Sequence, residues 1–103
     1  MIAFISGPMT GHPDFNRSAF YEAEDELFDM GYEAVYNPAK SGLPDDASHE
    51  RCMLETLSIL TRKRDGKPLF DCIVMLDGWE SSKGSKLEHD IAEAIGINVM
   101  TKG

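Results

Sequence analysis

Glu88 closes the run Ser81-Ser82-Lys83-Gly84-Ser85-Lys86-Leu87-Glu88, in which hydroxyls, a glycine and a carboxylate crowd around a helix start. Unpaired backbone N–H groups at such a start, with hydroxyls beside them, form an anion site. A carboxylate next to it, when partly removed from water, serves as nucleophile or general base. Two readings of Glu88 stand side by side. Ser85-x-x-Glu88 matches the S-x-x-E capping box, where the acid only reaches back to a cap amide. With Leu87, Ile91, Ala94 and Ile95 as the buried helix stripe, however, Glu88 lies on the stripe's edge and points toward the carboxyl end of a sheet. Asp77 closes an apolar run and faces the same crevice, or is simply a turn residue before Gly78. Trp79 stacks on a flat ring, covers the edge of the core, or meets another subunit.

The other unusual loop is Gly7-Pro8-Met9-Thr10-Gly11-His12-Pro13, two glycines and two prolines directly after the apolar run that ends at Ser6. Several chemistries are absent. There is no GxxxxGK[ST] and no GxGxxG, so ATPase and dinucleotide readings have no support. His12, His49 and His89 are scattered without ligand spacing, and Cys52 and Cys72 form no CxxC, so no metal and no cofactor is expected. No Ser/His/Asp set can be assembled, and His89 beside Asp90 reads as a solvated pair.

The elements that must position these residues follow from periodicity. Met1–Ser6 reads as a buried strand. Asp14 or Asn16 can cap a helix with Phe15, Ala19, Ala23, Leu27 and Met30 on its inner face and Glu22, Glu24, Asp25, Glu26 and Asp29 outside, ended by Gly31. A strand over 32–36 stops at Asn37-Pro38. Ser48 caps a helix to about Thr61 with Cys52, Met53, Leu57 and Leu60 as its stripe. Residues 62–68 form an exposed basic loop, 69–76 the clearest strand, 84–95 a helix ended by Gly96, and 97–100 a short last strand. Strands and helices thus alternate, and the strands are near-continuous apolar runs. That order argues for an α/β domain, a Rossmann-like three-layer sandwich whose four- to five-stranded parallel sheet is covered on both faces. Ligands of such sheets bind beyond the strand carboxyl ends where strand order reverses, between the first and third strands. The two unusual loops follow those strands.

At 103 residues the chain makes one domain, 1–103, with no internal repeat and no linker. No apolar run approaches the ~20 residues of a membrane helix, and the opening Ile2–Ile5 is too short for a signal peptide. Ten Lys and Arg against 18 Asp and Glu leave a net charge of −8, the wrong sign for gripping a nucleic acid polymer but no obstacle to a small anion held by backbone amides. The two cysteines read as buried free thiols in a reducing compartment, the cytoplasm.

Ile5-Ser6-Gly7-Pro8-Met9-Thr10-Gly11, Pro13-Asp14-Phe15-Asn16 and the block from Gly78 to Glu88 together resemble the nucleoside 2-deoxyribosyltransferase superfamily, especially its small, often phage-encoded members of uncharacterised function. The likeness spans nearly the whole chain. It implies a flavodoxin-like fold, a nucleoside or nucleotide partner, and a dimer or larger homo-oligomer. It implies that Glu88 attacks the deoxyribose C1′ as the base leaves. It places the substrate among Ser6, Gly7, Pro8, Met9, Thr10, Gly11, Phe15, Trp79, Ser82, Lys83, Gly84 and Ser85. Ser82, six residues before the nucleophile, resembles the branch acting on 5′-monophosphates, since an Asp there would repel the phosphate. One position departs from the family: Thr56 aligns with the acid that protonates the departing base, leaving Glu55, one residue or ~100° away on a helix, or Asp77 as substitutes. The implied activity is that of an N-glycosidase or deoxyribosyltransferase; the alternative is a protein of the same fold that binds and sequesters a nucleotide.

Overall fold

A computed structural model describes residues 1–102. Its principal sheet has four parallel strands, β1 (Ile2–Ser6), β2 (Ala34–Tyr36), β5 (Cys72–Met75) and β6 (Asn98–Thr101), in the order β2-β1-β5-β6. Three helices cover it: α1 (Arg17–Asp29), α2 (His49–Leu60) and α3 (Lys83–Ala94). This is the expected flavodoxin-like three-layer arrangement with four strands. The chain runs outward from β1 to β2, returns past β1 to β5, and continues to β6, so strand order reverses between β1 and β5.

Alternation along β1 sends its side chains into two cores. Ala3 and Ile5 pack with Phe20, Ala23 and Leu27 of α1, whereas Phe4 packs with Ile59 and Leu60 of α2, Ala92 of α3, and Ile73 and Met75 of β5. The central strands are therefore buried on both faces, which is why they read as unbroken apolar runs.

Several elements start later than periodicity predicts, and the helix ends explain why. Gly31, in the left-handed region at φ 96°, ends α1; Gly31 N–H bonds Phe28 O at 3.0 Å and Tyr32 N–H bonds Leu27 O at 3.1 Å. That double cap occupies Tyr32, so β2 cannot begin there and pairs over only three residues. Gly96 and Ile97 close α3 in the same way, on Glu93 O and Ala92 O.

At the other end of α1, the sequence reading needs correction. Asp14, Phe15 and Asn16 are all left-handed, at φ 49°, 53° and 60°, so Phe15 lies outside the helix. Neither proposed cap operates: Asn16 Nδ2 donates to Pro8 O and Asp14 pairs with Arg17. Met30 is exposed, and Glu24, assigned to the outer face, is buried and paired with Lys40.

The basic loop is an exposed hairpin, β3 (Lys63–Arg64) and β4 (Lys67–Pro68), turned by Asp65 and Gly66 with positive φ at both. In α2 the buried positions are Thr56, Ile59 and Leu60, with Cys52, Met53 and Leu57 half-buried. In α3 they are Ser85, Glu88 and Ala92, while Leu87, Ala94 and Ile95 are exposed and Ile91 is half-buried. The inner face of α3 is thus rotated from the purely apolar stripe, because two polar side chains occupy its N-terminal half. Cys72 is buried and free, whereas free Cys52 is only half-buried.

Gly7 shows how tightly the β1 exit is packed. A Cβ there would stand 2.8 Å from Leu76 Cβ, an atom that cannot swing away. Gly7→Ala is expected to cost about 1–3 kcal/mol, read as a lower midpoint in urea denaturation with an unchanged slope.

Candidate functional site

The carboxyl ends of β1 and β5 diverge into the two loops singled out by sequence, and α3 is set between them. Ser82 caps α3, its Oγ accepting from Ser85 N–H at 3.3 Å. Ser85 is therefore inside the helix and cannot cap it. This removes the capping-box reading: Glu88 lies a turn and a half beyond Ser82, facing the sheet. Its side chain is 7% exposed, and Ser6 Oγ, at the end of β1, donates to Glu88 Oε1 at 2.5 Å. The bond joins residues 82 positions apart and directly adjoins the glycine-proline turn.

Burial pushes the Glu88 carboxyl above the usual carboxylate range, while the Ser6 hydrogen bond and the nearby Thr56 hydroxyl pull the other way. Thr56 comes from α2 and is buried; its Oγ1 makes no hydrogen bond of normal length and angle. Tyr36, the last residue of β2, has a hydroxyl that is likewise buried and unpartnered. Its ionisation is pushed up to about 12, first by burial and then by the charges of Glu55 and Glu88. It is a neutral O–H donor across the physiological range. Tyr36 does not stand out in the sequence. Tyr36 had the look of a strand-ending aromatic, and only its register beside Phe4 brings it to this space.

A family model described as a domain of unknown function, DUF4406, matches residues 1–101. The chain belongs to the DUF4406 family. That description names no activity, and neither a curated protein nor a solved structure matches the chain.

In this DUF4406 domain the other sequence-selected residues fall into three groups. The first surrounds the β1 exit. Gly7 packs on Leu76, Pro8 is buried against Gly78, and Met9, Thr10 and Phe15 line a cleft of about 280 Å³ closed on its far side by Pro38, Leu43 and Cys52. Gly11 is exposed with φ 84°. Arg17 ties this wall to the opposite loop, with 2.7 Å ion pairs to Asp14 and Asp45, and its guanidinium lies 5.2 Å from the Phe15 ring centre.

The second group lies at the start of α3. Gly84 abuts α2, since a Cβ there would stand 3.1 Å from Met53 Sδ; Ser85 is buried and Lys83 exposed. Trp79 takes the core-edge role, packed on the α2/α3 core and stacked at 4.6 Å on His89. His89 is consequently half-buried rather than solvated, and pairs with Asp90 and Glu93.

The third group is not gathered to the site. Glu55 and Asp77 are both exposed, and neither is among the groups that act on the Glu88 carboxyl. The residue that does reach it from α2 is Thr56. No helix among the described residues is long and apolar enough to cross a membrane.

The direction of the Glu88 shift sets a stability test. Below the ordinary carboxylate value of 4.5, folded and unfolded chains both hold the proton, and Glu88 carries no penalty. As pH rises the unfolded chain loses its proton first, so this residue's contribution to stability falls until the folded group has also ionised. Glu88→Gln keeps an oxygen for Ser6 without the charge. Its melting temperature is expected to match the native protein below pH 4.5 and to exceed it at pH 7. Parallel thermal melts across pH check this.

Proposed function

We propose that this domain acts on the N-glycosidic bond of a deoxynucleoside 5′-monophosphate or deoxynucleoside, with Glu88 as the nucleophile. The observation that carries the reading is the Glu88 carboxyl itself, buried where strand order reverses, one oxygen held by Ser6 and the Thr56 hydroxyl close by. In the first step a Glu88 carboxylate oxygen forms a bond to C1′ while the C1′–N bond breaks and its electron pair leaves with the base. The product is a glycosyl ester on Glu88. Water, or the nitrogen of a second base, then attacks C1′ and the carboxylate departs. A water-poor carboxylate suits this chemistry, because positive charge builds at C1′ in the transition state.

Three further features support a nucleotide. The cleft bordered by Met9, Phe15 and Pro38 has apolar walls and the volume for a flat base. The start of α3, with Ser82 and Lys83, offers hydroxyl, amide and ammonium donors to a phosphate. A net charge of −8 disfavours long nucleic acids but not a single nucleotide. A homo-oligomer, completing the open side of the site, belongs to the same reading.

A second reading, nucleotide binding without turnover, is favoured by Thr56. Departure of a base is eased by a proton donor, and the structure presents a hydroxyl where an acid would serve, with Glu55 and Asp77 exposed.

Incubation with a panel of deoxynucleosides and their 5′-monophosphates, followed by chromatography, decides between them. The expected result is free base, with Glu88→Ala lowering the rate about 10³-fold or more. Ligand bound stoichiometrically and recovered intact selects the binding reading. Neither release nor binding removes both. Because the nucleophile must be ionised, the rate is expected to rise with pH through a midpoint above the ordinary glutamate value of 4.5.

A further inference from the structure

Among the described residues, three buried side-chain polar atoms have no hydrogen-bond partner: Tyr36 Oη, Asn37 Nδ2 and Thr56 Oγ1. Native proteins rarely leave such groups unpaired, and a bound ligand is one cause. Asn37 lies apart from the other two, with its Nδ2 unpaired. Its Oδ1 caps the turn Pro38–Lys40 by accepting from Ala39 N–H at 2.9 Å, and alternation along the strand puts it on the opposite face from Tyr36.

Tyr36 and Thr56 belong together. Tyr36 is in register with Phe4 and stacks on it at 5.0 Å, so it lies on the α2/α3 side of the sheet. Ser6 follows Phe4 by two residues on the same face. Thr56 reaches this side from α2 and Glu88 from α3. Four elements thus bring one polar side chain each to the same side of the sheet, with Ser6, Thr56 and Tyr36 each linked to Glu88 by a hydrogen bond or by charge. Ser6 donates to one Glu88 oxygen at 2.5 Å; the Thr56 hydroxyl lies near enough to lower the Glu88 pKa without a hydrogen bond of normal geometry, and the Tyr36 hydroxyl has no partner. The open cleft runs past this region: Cys52, one α2 turn before Thr56, and Pro38, two residues after Tyr36, both line it.

The chemistry of an occupant is constrained. It must accept hydrogen bonds from two O–H groups, yet it sits against a carboxylate in a water-poor setting. A phosphate or carboxylate would be repelled by Glu88. A neutral hydroxyl fits, since its lone pairs accept from Tyr36 and Thr56 while its own proton goes to the Glu88 carboxylate. We propose that Tyr36 and Thr56 are specificity-determining residues of the Glu88 site, and that their hydroxyls hold a neutral hydroxyl of the ligand's sugar. The assignment rests on the nucleotide reading above. In a deoxynucleoside 5′-monophosphate the sugar carries one such group, the 3′-hydroxyl.

The test pairs protein and ligand deletions. Binding of the four deoxynucleoside 5′-monophosphates and their 3′-deoxy analogues is measured for the native protein, Tyr36→Phe and Thr56→Val, as Kd, or as KM where base is released, alongside the melting temperature of each free protein. The native protein is expected to bind a 3′-hydroxyl ligand about tenfold more tightly than its analogue, equivalent to ~1.4 kcal/mol. Each variant is expected to lose that discrimination, with no fall in melting temperature. Native binding with discrimination intact in both variants overturns the assignment while leaving the nucleotide reading standing. So does a lower melting temperature in both variants without loss of discrimination, which would show that the hydroxyls are held internally, by each other or by water. Absence of native binding to every probe overturns both.

Discussion

A carboxyl group taken out of water and steadied by a single serine hydroxyl is the constraint around which this domain is arranged. Burying it opposes folding, and the Ser6 hydrogen bond offsets only part of that, as the upward direction of the Glu88 shift shows. The apolar contacts supply the rest. Phe4, Ile73 and Met75 beneath it and Ala92 one turn further along α3 are fully buried, so the helix that carries the acid is anchored by its own C-terminal half. Gly84 lets the N-terminal half approach Met53 of α2. Position, protonation and water exclusion at Glu88 therefore all depend on how closely α2, α3 and β1 meet.

The sequence reading found the architecture because its signals are local and strong. Buried strands such as Ile2–Ser6 are continuous apolar runs, Gly31 and Gly96 stop their helices, and Ser48 caps α2 as its position suggests. It failed where tertiary contact overrode a local pattern. Phe15 fits the helical spacing of Ala19 and Ala23, but Asn16 reaches back to Pro8 O and the chain takes a left-handed turn there that no periodicity discloses. The α3 stripe was sought among apolar residues, whereas its inner face holds Ser85 and Glu88. Glu88 was legible as a candidate through its neighbours in sequence. Tyr36 was not, because its importance comes from strand register rather than residue type, and Thr56 was legible only as a missing acid.

That missing acid bears on what the site does. Cleaving a glycosidic bond needs an electron-rich partner for C1′ and, for most bases, a proton for the leaving nitrogen. In the reading proposed above, Glu88 supplies the first. For the second, the buried hydroxyls of Tyr36 and Thr56 are hydrogen-bond donors rather than strong acids. On that proposal, a site built this way suits a ligand whose base departs readily, or one that is held without being cleaved. Both fit a pocket whose selectivity lies in matched hydroxyls more than in charge.

Phe15 carries an implication of a different kind. A left-handed backbone disfavours a bulky side chain by about 1–2 kcal/mol, and Phe15 is flanked by two residues, Asp14 and Asn16, of the sort that tolerate that geometry. Nothing in the fold's two cores requires an aromatic ring there; the ring instead forms one wall of the open cleft beneath Arg17. The domain thus retains a residue its own backbone would exchange for glycine. If the ring serves the proposed ligand, a relative without that ligand is released from the obligation, and a glycine at the corresponding place is the mark such a lineage would leave.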